Sequence, residues 1–170
     1  MGYREMFLVM VSVILLSTLM LRINSNAVEG RELLQQLEIE HMAASIAQQI
    51  IEEAKSKKFD DLVGTSIITP SSSPSAVFTS NLALAPEVGE TYPNYNDVDD
   101  YEAGLADTLY VDGIDFEPII TVDYVQDSSP DTKVFTETFY KRMKVEVASS
   151  WLPAGRTVTL KHVFSYFGVE

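Results

Sequence analysis

The stretch Met6-Phe7-Leu8-Val9-Met10-Val11-Ser12-Val13-Ile14-Leu15-Leu16-Ser17-Thr18-Leu19-Met20-Leu21 runs for sixteen residues without a charge, with Glu5 just before it and Arg22 just after. At the helical rise it covers about 24 Å, a little short of the roughly 30 Å hydrocarbon core, and Ile23 and Tyr3 bring it close to membrane length. It is apolar on every side, so it leaves no face for water. Such a helix belongs in lipid or in a bundle of like helices. A secretory signal peptide is the plainer alternative, with Arg4 as its basic region and Ser25-Asn26-Ala27 as a small-x-small site. Glu5 does not suit it, and the apolar run is slightly long. Arg4 with the amino terminus outweighs Arg22 and favours the N-terminus inside.

Outward from this stem, Arg22-Ile23-Asn24-Ser25-Asn26 is polar and poor in helix formers, with Gly30 soon after. Each Asn, Ser or Gly costs a helix from a few tenths to about 1 kcal/mol. The helix is therefore expected to be interrupted between about Arg22 and Gly30. Periodicity returns at Val28 and lasts to about Lys58. Leu33, Leu37, Ala44, Ala47, Ile51 and Ala54 follow three-four spacing, widened by Leu34, Met42, Ile46 and Ile50. Glu29 and Glu32 suit an early turn, and Lys55, Lys57 and Lys58 a last one. Phe59-Asp60-Asp61 and Gly64 are expected to end the helix.

Residues 59–110 read as a variable loop region, with Pro70 to Pro74 enclosing three serines and Pro86, Gly89, Pro93, Asn94 and Asn96 further on. The last part, 111–170, reads as antiparallel strands. Phe116, Ile120, Val122 and Tyr124 share one parity of the first. Asp127–Asp131 reads as a turn. Phe135, Phe139, Met143, Val145 and Val147 alternate with Thr136, Thr138, Arg142, Lys144 and Glu146 in the second. Trp151-Leu152-Pro153-Ala154-Gly155 is the next turn. Val158, Leu160, His162, Phe164 and Tyr166 share one parity of the third. The expectation is an α+β chain: a long N-terminal helix, apolar stem 1–26 plus amphipathic half 27–58, packed on a three-strand C-terminal antiparallel sheet.

Net charge is −13, from 25 acidic and 12 basic residues. No basic stripe is present, which disfavours nucleic acid as a partner. The absence of cysteine removes disulfides, thiolate catalysis and zinc-thiolate sites. His41 and His162 lie in no recognisable triad, and no phosphate loop, dinucleotide fingerprint or zinc spacing occurs. They read as surface or half-buried structural residues. No catalytic residue and no cofactor is expected. Asn96, Asp97, Asp99, Asp100 and Glu102 form an acidic group. Hard oxygen ligands on a loop suit calcium, which makes Asp97, Asp99 and Asp100 weak metal candidates. The spacing is not that of an EF-hand, and a solvated acidic loop is the expectation. Tyr92, Tyr95 and Tyr101 are assigned to loop packing.

The apolar opening with Glu5 at its edge resembles the type IV pilin and type II secretion pseudopilin superfamily. Members share an N-terminal apolar helix with Glu at mature position five, an amphipathic continuation and a C-terminal antiparallel sheet. If Met1 is the first mature residue, Glu5 falls on that Glu. The opening Met1-Gly2-Tyr3-Arg4 departs from the family's apolar one. Asp99-Asp100-Tyr101-Glu102-Ala103-Gly104 also resembles a recurrent segment of pilin-like proteins. The resemblance implies a subunit held in the inner membrane by one span, handled by pilus or secretion machinery, and assembled into an extracellular helical homopolymer. Arg4, Glu5, Phe7, Leu8, Val11, Ile14, Leu15 and Leu19 would form the subunit interface, with Glu5 neutralised by a neighbouring copy. A minor pseudopilin of a secretion-type pseudopilus and a single-pass anchored envelope domain are the alternatives.

Overall fold

The computed structural model describes residues 2–63, 68–105, 108–153 and 155–167. The expected helix end at Gly64 and the Ala154 position of the last turn lie outside them, as does Met1. The chain divides into two compact units, Met1–Ile39 and Glu40–Glu170.

The first unit is helix alone. α1 runs from Tyr3 to Lys55 without a break, and residues 3–39 of it make up this unit. The expected interruption at Arg22–Gly30 is therefore wrong. The propensity penalties there are real but small, and good helix formers flank them for several turns on both sides. Unwinding also needs somewhere else for the freed amides to bond. Nothing lies within 4 Å of the position a Cβ would take on Gly30, so no tertiary contact competes with the ladder. Ser25 adds an i,i+4 bond to Glu29, 3.3 Å. Helix ends do fall where the amides find other partners: past Lys55, Ser56 and Lys57 close with turn bonds to Glu53 and Ala54. Lys57 and Lys58 thus lie beyond the helix rather than in its last turn.

The second unit packs the end of that helix on an antiparallel sheet. Ala43, Ala47 and Ala54 are fully buried, and Ile46, Ile50 and Ile51 nearly so. The stripe read from the sequence is thus buried only in its C-terminal part. Leu33, Leu34 and Leu37 stay exposed. The sheet has five strands, β1 Leu109–Val111, β2 Ile114–Gln126, β3 Ser129–Lys133, β4 Tyr140–Ala148 and β5 Val158–Ser165, in the order β1-β2-β4-β5 with β3 on the far end of β2. The central meander β2-β4-β5 is the expected one. Its register aligns Ile120 with Val145 and Val145 with Leu160. Phe116, Ile120, Val122 and Tyr124 are all buried, as their shared parity requires.

Two strands were not expected. β1 and β2 join through Asp112 and Gly113, at φ 51° and 81°, a two-residue turn with both central residues left-handed. That is the hairpin geometry an Asp-Gly pair favours. β3 occupies part of the stretch read as a turn, pairing back on Val125 and Gln126 across a bulge. Phe135 stands before β4 rather than in it and is exposed. Beside the sheet, a second cluster joins Phe78, Leu84 and Tyr124, with Phe59, Phe139 and Tyr166 around it. Phe59–Phe78 and Phe78–Phe139 meet tilted or edge-on, centroids 5.1 and 5.6 Å apart.

Candidate functional site

The stem and the acidic loop are the two features with chemistry in them, and each is described within its own unit.

Every residue of the stem faces outward. Phe7, Leu8, Val11, Ile14, Leu15 and Leu19 lie between 37% (Val11) and 67% (Phe7) exposed. A helix this long and apolar meets the length and composition of a membrane span. Its three hydroxyls are already satisfied. Ser12 donates to the Leu8 carbonyl at 2.8 Å, Ser17 to Val13 at 2.8 Å and Thr18 to Leu15 at 2.9 Å. In an apolar medium an unsatisfied hydroxyl costs several kcal/mol, so this back-bonding makes the whole surface compatible with lipid or with other apolar helices. Arg4 and Glu5 sit at its start.

Glu5 has a partner inside its own chain. Gly2 precedes the first helical residue, and its backbone N–H donates to Glu5 Oε2 at 3.3 Å while Glu5 N–H donates to the Gly2 carbonyl at 3.0 Å. A Glu three residues past the cap reaching back to the cap N–H is half of a capping box. The carboxylate also stands at the positive end of the helix dipole. Arg4, the headgroup region and a neighbouring copy's amino terminus were the expected partners of Glu5; the Gly2 backbone was not among them. The spacing Gly2-x-x-Glu5 ahead of an apolar run was the signal.

The acidic loop is not a solvated surface. Asp97, Asp99 and Asp100 are each fully buried, which overturns the expectation. They are buried because the chain uses their oxygens as turn acceptors. Asp97 Oδ1 accepts the Asp99 and Asp100 N–H groups at 2.9 and 3.3 Å, and its Oδ2 accepts Asp61 N–H at 2.7 Å. Asp100 Oδ2 accepts from Asn96 and Asp97 at 2.7 and 3.1 Å. Glu102 accepts from the Val122 N–H of β2. The 3-10 turn Asp99–Ala103 is fastened by these bonds.

Asp99 takes a different partner. Lys141, fully buried on the core face of β4, contacts Asp99 Oδ1 and donates to Asp60 Oδ2 at 2.9 Å and to the Phe59 carbonyl at 2.8 Å. All three of its donors are used. The ammonium also lies 4.7 Å from the Phe59 ring centre and 5.5 Å from that of Tyr124. Asp60 accepts further from Thr79, through N–H at 2.8 Å and hydroxyl at 3.2 Å. Burial pushes the Asp99 carboxyl up to about 8, against the pull of Lys141. Burial likewise raises Asp100. The alternation that marked β4 as a strand puts Lys141 on the same side as Met143 and Val145. The pattern marks Lys141 as buried but does not say which residues meet it.

Of the three weak metal candidates, Asp97 has both oxygens committed to backbone amides and Asp99 is held by Lys141. Asp100 joins two other carboxylates in one cluster among the described residues. Glu87, Glu90 and Asp100 each bring an oxygen to within 4.8 Å of the other two. Glu87 and Glu90 were not singled out in the sequence, since they stand ten or more residues from Asp100. Tyr92, Tyr95 and Tyr101 pack edge-on in series, centroids 5.7 and 5.1 Å apart, as assigned. Tyr101 and Tyr92 both donate to Glu53 of α1, at 2.8 and 3.2 Å. His41 is exposed, and His162 is half-buried, edge-on to Phe164. Comparison of the chain with protein-family models, with curated proteins and with solved structures finds no match.

Proposed function

We propose that the chain is a structural subunit of a pilin-like filament, anchored in a membrane by its stem before assembly and packed through that stem afterwards. The observation that carries the reading is the stem itself: an unbroken helix whose apolar residues are exposed on all sides and whose hydroxyls are bonded inward. A soluble monomer gains nothing from such a surface, and an exposed apolar area of this extent marks a membrane or protein contact. The exposed Leu33, Leu34 and Leu37 extend the apolar surface further along the helix and add contact area for a neighbouring helix. In this reading the stem waits in lipid, and copies then exchange lipid contacts for helix–helix packing. The carboxylate of Glu5 enters the shared apolar core and takes a cation of the next copy, the amino terminus or Arg4. The acidic sheet units face outward and keep filaments soluble and apart.

The test separates the two uses of Glu5. Glu5→Ala removes both charge and cap, whereas Glu5→Gln keeps an acceptor for the Gly2 N–H and loses only the charge. Electron microscopy of sheared surface material should show filament yield down at least about tenfold in both variants, from the cost of about 3–5 kcal/mol for an orphaned buried charge. The membrane-bound monomer should remain folded. Normal filaments from Glu5→Gln would reduce Glu5 to a helix cap. Absence of any filament from the unaltered chain in its own cell envelope would leave the single-pass anchored domain as the better reading.

A further inference from the structure

We propose that Lys141 and Asp99 condense into an isopeptide bond, with Asp60 as the proton carrier, whatever use is made of the stem. The bond would join β4 covalently to the 3-10 turn Asp99–Ala103, across 42 residues of chain. Lys141 Nζ contacts Asp99 Oδ1 and donates to Asp60 Oδ2 at 2.9 Å. None of the three side chains is reached by solvent. The Phe59 and Tyr124 rings stand over the nitrogen, centres 4.7 and 5.5 Å away. An amine, a carboxyl and a second carboxyl are thus held together in a dry, ring-lined place.

A lysine between two carboxylates is by itself only a buried ion-pair triad. What sets this one apart is how unevenly the two carboxyls are treated. Asp60 is surrounded by donors. Its Oδ1 accepts from the Leu62 N–H at 3.1 Å and the Thr79 hydroxyl at 3.2 Å, and its Oδ2 accepts the Thr79 N–H at 2.8 Å besides Lys141. These bonds fix its orientation and leave Oδ2 against the amine, where a proton acceptor must stand. Asp99 has no such set. Its Oδ1 meets Lys141, and its Oδ2 is buried without a partner among the described residues. Burial pushes its carboxyl up to about 8, so at neutral pH it carries a proton, the form whose carbon an amine can attack. The product is a neutral amide, less costly to bury than an ion pair with an unmatched oxygen.

The step balances with no oxidant and no co-reactant. The Lys141 ammonium gives one proton to Asp99, which leaves a neutral amine beside a neutral carboxyl. The Nζ lone pair then attacks Asp99 Cγ, and the carbonyl π pair moves onto oxygen. Asp60 Oδ2 takes a proton from the nitrogen and hands it to a hydroxyl of the tetrahedral intermediate. That hydroxyl leaves as water while the carbonyl re-forms. One N–C bond forms and one C–O bond breaks. The three ammonium hydrogens end as one amide N–H and the two of water, and Asp60 ends as it began, with the amide N–H as its partner. Groups held in contact this way react as if at an effective concentration on the order of 10⁵ M or more. Exclusion of water by the two rings disfavours the reverse hydrolysis.

Mass spectrometry of the full chain, folded in detergent and then fully denatured, reads the bond. The chain should be lighter by one water than the mass its sequence requires. Trypsin should leave Lys141 uncut and release its peptide still joined to the one that carries Asp99. The position of the loss matters, because Asp112-Gly113 can also lose water by cyclising on its own backbone. A loss that maps to 112–113 would overturn the proposal, as would a folded chain that keeps its full mass after several days at neutral pH. Lys141→Arg and Asp99→Ala should each keep the full mass. Should either fail to fold, the branched peptide of the unaltered chain decides alone. Asp60→Asn keeps the size of the side chain but takes no proton. Followed from synthesis into micelles, it should lose water about a hundredfold more slowly than the unaltered chain. An equal rate would overturn the part given to Asp60.

Discussion

Lys141 and Asp60, 81 residues apart in the chain, meet at 2.9 Å with neither side chain reached by solvent. The pair ties the chain just past α1 to β4, and Asp99 completes it from the 3-10 turn Asp99–Ala103. Lys141→Met should leave two buried carboxylates without a cation. The expected loss is about 3–5 kcal/mol, or an unfolding temperature lower by roughly 10 °C or more for a unit of this size. Thermal unfolding in detergent followed by near-ultraviolet circular dichroism measures it, and a loss under about 1 kcal/mol would show the triad to be dispensable.

Asp123 carries the pH dependence that can be read with a definite sign. Burial raises its carboxyl, but Lys133 and Arg142 outweigh that and hold it below the usual carboxylate range. Its folded-state value lies below its unfolded one. The stability it contributes is therefore fully present above about pH 4 and is lost as pH falls through the folded value. Asp123→Asn should lower stability near neutral pH by about 3 kcal/mol and flatten the acid limb of the curve below pH 4. Unfolding by urea at a series of pH values gives both numbers.

Gly30 tests why the helix does not break. It has helical backbone and empty space where a Cβ would go, so alanine adds propensity without a clash. Gly30→Ala should strengthen the local helix by about 0.8 kcal/mol, near a fourfold rise in amide protection over roughly two turns either side. Hydrogen exchange in micelles reads this directly. If function requires the stem to unwind there, the same variant should reduce assembly.

Ala47 tests how closely α1 approaches within the second unit. The residue is fully buried, as are Ala43 and Ala54 on the same stripe. Ala47→Leu adds three carbons where no room remains, and should cost about 1–3 kcal/mol by forcing side chains off their rotamers. Leu37→Ala, on the exposed part of the helix, should change monomer stability by less than about 0.5 kcal/mol. Chemical unfolding of both variants makes the comparison.

The parts of the fold legible in the sequence were those set by local period. Val122 and Tyr124 announced β2, Met143 and Val145 announced β4, and the stem announced itself by composition. What stayed hidden depends on partners far along the chain. The burial of Asp99 requires Lys141, 42 residues away, and no linear pattern states that a lysine inside a strand's apolar parity will be met. The reading of Asn24, Ser25 and Asn26 as a break failed for a different reason. Local penalties do not break a helix whose backbone has nothing else to bond to. The Asp112-Gly113 pair is a hairpin signal, but the three residues of β1 are too few to show a period. The bond of Glu5 to the Gly2 backbone rests on a three-residue spacing that was not read as a cap.

The inward bonding of Ser12, Ser17 and Thr18 has one more consequence. A span that keeps its hydroxyls for itself offers any companion only apolar side chains, aliphatic groups with the Phe7 ring and the methionine thioethers, at every angle around the axis. No hydrogen bond along the sixteen residues can then tell one companion from another, and only the shape of the packing surface is left to do so. Polar recognition is left to the ends: the charged pair Arg4 and Glu5 on one side, and Arg22 with the amides of Asn24 and Asn26 on the other. Exchanging the middle of the stem for an apolar sequence of equal length and matching side-chain shape should leave choice of partner unchanged, whereas exchanging its ends should redirect it.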